Sequence, residues 1–165
     1  MKTTDQTSNG GGTLWGDLQA LPRRYWILFA GTLINRFGHF VIPFLAIYLR
    51  KQGYEAWVTG ATLAAFGVGA LLAGAVGGYL ADRVGRKFTL LLSCGGAALS
   101  MLALSQAVSP ASLVVATLAN GFLSAMYFPA ASALLADLVP GPLRIRAFAC
   151  QRLAVNLGFA IGMAS

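Results

Sequence analysis

Apolar residues run along this chain in blocks much longer than the stripes of a soluble amphipathic helix. A bilayer crossing takes about 20 mostly apolar residues at about 1.5 Å of rise each. The first block, Tyr25–Tyr48, is apolar apart from Asn35, Arg36 and His39, and the second, Trp57–Leu80, has no charge. From Phe88 to Ala136 there is no Asp, Glu, Lys or Arg. That stretch is too long for one crossing, and Ser109-Pro110 divides it into Phe88–Val108 and Ala111–Leu135. The last block, Ala147–Ser165, has Arg152 near its start. The pattern predicts an all-α membrane protein, a polytopic helical bundle with crossings at 25–48, 57–80, 88–108, 111–135 and 147–165. Residues 1–13 are polar and Gly-rich and read as a flexible tail. Leu14, Trp15, Leu18 and Leu21 fall at helical spacing, so 14–24 reads as a pre-membrane segment, either an interfacial helix or a linker. A cleavable signal peptide is a poor alternative for the first block, which is too long for an h-region and is followed at once by a further span.

Composition narrows the classes. Of 165 residues, 57% are hydrophobic and 10% charged, and the mean hydropathy is +0.69. So few charges cannot dress a water-borne globule, and the hydrophobicity rules out disorder. The net charge of +7 is spread between apolar runs, not gathered on one face, so it does not indicate nucleic acid. It reads as topology. With the N-terminus inside, the inner ends collect Lys2, Arg23, Arg24, Arg83, Arg86, Lys87, Arg144, Arg146 and Arg152, against Arg50 and Lys51 outside. The expectation is an integral protein of the plasma (inner) membrane with a cytoplasmic N-terminus and anionic lipid head groups as neighbours. Cys94 and Cys150 make no disulfide or metal framework.

Helices gain nothing from hydrophobicity when they associate in lipid, so close packing needs small residues. Ala70, Gly74 and Gly78 recur at four-residue spacing in the second span, with Ala73 and Gly77 beside them. Ala154, Gly158 and Gly162 do the same in the fifth. Alone, these stripes indicate only a multi-helix bundle.

Between the second and third spans the chain reads GGYLADRVGRKFTL. Gly85 can take the backbone angles of a tight turn, and Arg83, Arg86 and Lys87 favour the cytoplasmic side. After Glu55 the only acids are Asp82 and Asp137. The loop resembles the signature G-x-L-a-D-R-x-G-R-K-x-x-L of the major facilitator superfamily, matched at Gly78, Leu80, Asp82, Arg83, Gly85, Arg86, Lys87 and Leu90. The first span, NRFGHFVIPFLAIYL, resembles the opening helix of the drug:proton antiporter branch, and LADLVPGPLRIRAF resembles the family's fourth-to-fifth connection. The resemblance implies a cytoplasmic gate in which Asp82 and Arg86 lock two halves together, with Asp137 as a second acid. Two departures loosen the antiporter assignment. Thr117 stands where the branch often has an arginine, and Gly158 and Gly162 are followed by Met163 instead of proline.

Ionisable groups at bilayer depth are rare and costly, about 2.5–3.5 kcal/mol for a central Arg on insertion scales. Arg36 lies at the midpoint of the first span, with Asn35 beside it and His39 three residues on. They read as one polar stripe facing a substrate or proton pathway, with His39 a candidate relay. A structural tie to backbone or a partner helix is the competing reading. Pro43 bends the same helix, and Asn120, Tyr127, Pro129 and Asn156 could line the same cavity. No acid lies in mid-span.

Function follows as an expectation: a secondary transporter of small molecules working by alternating access, with proton-coupled efflux as the leading form. An importer or uniporter, or a non-transporting half-bundle scaffold, are the alternatives. An enzyme is not expected, since no nucleophile–base pair or metal-spaced cluster is legible. No cofactor is expected beyond a proton gradient as coupling ion. The superfamily places substrate between two six-helix halves. The partners are therefore the lipid bilayer, a small-molecule substrate and a missing C-terminal half of the same protein, for which this chain would be the N-terminal fragment.

Overall fold

A computed structural model describes residues 21–38 and 41–164, and every described element is a helix. The chain forms α1 (Arg23–Gly38), α2 (Val41–Lys51), α3 (Ala56–Arg83), α4 (Arg86–Ser105), α5 (Pro110–Ala125), α6 (Tyr127–Leu138) and α7 (Gly141–Ala164). The 1–13 tail, most of the 14–24 segment and His39 lie outside the described residues. Among the described residues, four stretches are long and apolar enough to cross a membrane: α3, α4, α5 with α6 read as one stretch, and α7. This is a helical membrane bundle. α1 and α2 are 16 and 11 residues long, each short of a crossing.

Local chemistry sets the helix ends. α2 stops at Gly53, whose φ of 87° suits glycine. The Gly53 amide donates to the Arg50 carbonyl at 3.1 Å and the Tyr54 amide to the Leu49 carbonyl at 3.1 Å, which covers the helix's last carbonyls. α5 starts with a reciprocal cap. The Ser112 amide donates to Ser109 Oγ at 3.1 Å, the Ser109 amide donates to Ser112 Oγ at 3.1 Å, and Pro110 opens the first turn. α5 and α6 part at Met126, so the 111–135 stretch is two helices. Pro129 sits in the first turn of α6, where its missing N–H leaves no ladder bond broken. The α3–α4 connection is shorter than the 81–87 left between the expected crossings. α3 runs to Arg83 and α4 begins at Arg86, which leaves only Val84 and Gly85 between them. Gly85, at φ 109°, makes that reversal possible.

Large apolar side chains face outward, among them Ile27, Leu71, Leu91, Leu99, Val115 and Ile145, while small and hydroxyl-bearing ones fill the interior. That inversion suits lipid as the surrounding solvent. The tightest seam joins α3 to α5 and the start of α6, along the buried row Thr62, Ala65, Gly69, Ala73, Gly77 and Ala81. A Cβ on Gly69 would overlap the Leu118 carbonyl oxygen and come within 2.8 Å of the Phe122 amide nitrogen. One on Gly121 would overlap the Phe66 carbonyl. One on Gly77 would lie 3.0 Å from Pro129 Cγ. The contact stripe is thus one residue out of step with Ala70, Gly74 and Gly78. Gly74 and Gly78 meet nothing within 4 Å. One position is about 100° around a helix, enough to carry a stripe off the seam. On α7 the buried residues are Ala147, Ala154, Gly158 and Gly162, and α7 packs chiefly on α1.

Two apolar clusters close the ends of the bundle. Leu21, Tyr25, Leu135, Val139 and Ala147 belong to the cluster at the arginine-rich end, and Leu45, Leu49, Val58, Leu104 and Leu113 form the other. Buried polar side chains lie elsewhere in the interior, including Thr32, Arg36, Thr62, Thr117, Asn120 and Ser124.

Candidate functional site

At the arginine-rich end the α3–α4 turn faces the end of α6. Arg86, in the first turn of α4, forms an ion pair through Nη1 with Asp137 Oδ2 and donates from Nη1 to the Ala133 carbonyl at 2.7 Å. The same guanidinium therefore holds both a carboxylate and a carbonyl near the C-terminal end of α6, where the helix dipole favours a cation. The pair is half open to solvent, with side-chain exposures of 30% and 58%, so its contribution is about 0–1 kcal/mol. Asp82 is exposed and has no ion-pair partner among the described residues; Arg86 is held by Asp137 instead. Asp82, Gly85, Arg86, Lys87 and Asp137 line one cleft of about 630 Å³. Arg83 lies over the Tyr79 ring at 5.2 Å from its centroid. Gly78 is half-buried, and a Cβ there would meet nothing within 4 Å.

Deeper in the bundle the structure divides the expected polar stripe. Asn35 and Arg36 are successive residues, about 100° apart on α1, and they face different neighbours. Asn35 lines a cavity of about 400 Å³ with Cys94, Met101, Asn120 and Ser124, and its Oδ1 has no hydrogen-bond partner. A second cavity of about 610 Å³ shares Gly31 and Cys94 with the first and includes Tyr127, Arg24 and Lys87. Asn120 spends its amide on packing: Nδ2 donates to the Ala97 carbonyl at 3.2 Å and to Ser100 Oγ at 2.9 Å, which ties α5 to α4.

Arg36 lies on the other side, 9% exposed, with its guanidinium carbon 3.6 Å from the centroid of the Phe128 ring. Neither Nε nor Nη2 has a hydrogen-bond partner. One turn earlier on α1, Thr32 Oγ donates to the Leu28 carbonyl at 2.9 Å and lies 2.8 Å from the Tyr127 hydroxyl. Gln151 of α7 donates from Nε2 to Thr32 Oγ, and its own Oε1 is left without a donor. Three helices therefore meet at Thr32: α1, α6 through Tyr127, and α7 through Gln151. Gln151 and Thr32 were not singled out in the sequence. The legible signal was an amide in the midst of an apolar span, masked by the neighbouring Arg152. Pro129 packs on Gly77, Asn156 is exposed, and Thr117 is buried with its hydroxyl unpartnered.

Residues 28–165 match the family described as Major Facilitator Superfamily. The chain is 33% identical over 150 residues to a protein of Bacillus subtilis named "Uncharacterized MFS-type transporter YqjV", an alignment covering 90% of this chain and 36% of that protein. It is 34% identical over 128 residues to the "Na(+), Li(+), K(+)/H(+) antiporter" of Planococcus maritimus, covering 74% of this chain and 30% of the other. Against the "Quinolone resistance protein NorA" of Staphylococcus aureus it is 26% identical over 122 residues, covering 74% and 31%. The chain spans about a third of the length of these curated relatives.

Proposed function

The chain belongs to the Major Facilitator Superfamily, and on that premise we propose that the intact protein is a secondary transporter that expels small molecules in exchange for protons. The observation that carries this reading is Arg36. A buried guanidinium with two unpartnered nitrogens is costly in a bundle that faces lipid, and such groups are retained where a pathway or a coupled ion uses them. The names of two relatives, an ion/proton antiporter and a quinolone resistance protein, agree with exchange and with efflux.

The substrate lies between this bundle and a second one, and the two rock about it. The basic turns face the cytoplasm of a cell whose inner membrane holds the protein, N-terminus inside. Arg86 and Asp137 brace α4 against α6 within this bundle. Asp82, exposed on the last turn of α3, is left to pair across to the other half when the carrier opens outward. His39, three residues beyond Arg36, is the proton relay within this chain.

The test is flux of a labelled quinolone through the intact protein in proteoliposomes, with and without an imposed pH gradient. Accumulation driven by the gradient, collapsing with a protonophore, is the expected result. Gradient-independent equilibration would mean a uniporter, and no flux at all would remove the transport reading for this substrate class.

A further inference from the structure

The two unpartnered nitrogens of Arg36 are not arbitrary. Nε–H and one Nη2–H point the same way from the planar guanidinium, and together they form the edge that takes both oxygens of a carboxylate in parallel hydrogen bonds. The Phe128 ring covers the flat face of the group, which leaves the edge as the direction from which the positive charge is offset. Resting on the reading of this cluster as part of the transport path, we propose that the Nε/Nη2 edge of Arg36 is a carboxylate-binding site within the membrane.

Three features select a carboxylate over other occupants. The charge is buried, so a neutral carbonyl would satisfy one N–H and leave the cation uncompensated. Two adjacent donors on a rigid plane match two oxygens on a rigid plane. No acidic residue occurs between Glu55 and Asp82 or between Asp82 and Asp137, and Asp137 is already paired with Arg86. The carboxylate has two possible sources, the transported molecule or an Asp or Glu from another part of the intact protein. The edge is closed off in this conformation, so occupancy from outside requires the half-exposed Phe128 ring or the end of α1 to shift.

The experiment uses the intact transporter in nanodiscs and two probes of one shape, sodium benzoate and benzamide, with binding read by calorimetry. If the site takes substrate, benzoate binds about tenfold or more tightly than benzamide. Arg36→Lys, which keeps the charge and loses the fork, then abolishes the preference, while Gly74→Ala, at a position where a Cβ meets nothing within 4 Å, keeps it. If the protein's own carboxylate fills the site, the two probes bind alike or not at all. The infrared spectrum of Arg36→Gln at neutral pH then shows a protonated carboxyl band that the unaltered protein lacks. Equal binding of the probes with no such band overturns the proposal. The probe comparison needs no variant, so a poorly folding substitution does not spoil it. Flux and binding separate the two readings: a benzoate preference without quinolone flux retains the site and removes transport of that substrate class. Gradient-driven flux with neither a preference nor a band does the reverse.

Discussion

The seam between α3 and α5 and the meeting of α1, α6 and α7 lie in the same bundle and solve opposite problems. The first brings backbone against backbone at Gly69 and Gly121, with no room for a methyl group. The second keeps Arg36, Thr32, Tyr127 and Gln151 inside and leaves Arg36 and Gln151 with unpartnered atoms. Lipid rewards the first arrangement, because van der Waals contact between close helices is the main attraction available there. It penalises the second, which leaves buried polar atoms unspent. The contrast is between a seam closed by backbone contact and a cluster that still has hydrogen-bonding capacity to use.

The largest effect should come from filling the seam. Gly121→Val drives a branched side chain into the Phe66 backbone and should cost about 3 kcal/mol or more, read as lost folded yield and a lower melting temperature in detergent. Gly74→Ala and Gly78→Ala, one position off the seam, should melt like the parent protein. If Gly78→Ala proved as damaging as Gly121→Val, the assigned register would be wrong.

Arg36→Met should act in the opposite direction on stability. Replacing a buried cation whose Nε and Nη2 have no hydrogen-bond partner with an apolar side chain of similar length should raise stability by about 1–3 kcal/mol while transport falls to background. A variant both less stable and still active would show that Arg36 is an ordinary structural tie, and the contrast between the two regions would vanish.

The smallest effect belongs to the charged end. Asp137→Asn should change the melting temperature little, since the pair is largely solvated. Its expected consequence is a shift between inward- and outward-open populations, measured by distances between spin labels on the two halves. Unchanged populations would leave Arg86 and Asp137 as topology markers only.

Much of the fold was legible because bilayer thickness sets a length that apolar runs must meet. The uncharged stretch from Phe88 to Ala136 had to contain a turn, and Ser109-Pro110 is where both capping and a fixed φ favour one. Gly85 was legible for a similar reason, since a two-residue reversal between long helices needs a residue that tolerates positive φ. The stripe on α3 was not. Ala70, Gly74 and Gly78 stand beside Gly69, Ala73 and Gly77, and in a helix apolar on every side no hydrophobic face says which row turns inward. The division at Met126 was hidden because Pro129 begins α6 without interrupting the apolar run.

The candidate site shows the same limit at the level of single side chains. The sequence shows Arg36 and Asn35 at membrane depth, but adjacency along a chain is not a shared face, and the helix turns them toward different partners. Gln151 is remote from Thr32 in sequence and joins it only because α7 packs on α1. Arg86 could have met Asp82, four residues away in sequence, or Asp137 on another helix; the packing of α4 against α6 chose Asp137.

From its residues alone this protein was bound to be a set of membrane-crossing helices with a basic, glycine-hinged turn, because solvent transfer and chain reversal are local requirements. Tertiary structure decided which small residues touch, which acid Arg86 holds, and which atoms of Arg36 remain unpartnered. Those outcomes depend on the rotation of each helix about its own axis, and in lipid only contact with neighbouring helices sets that angle.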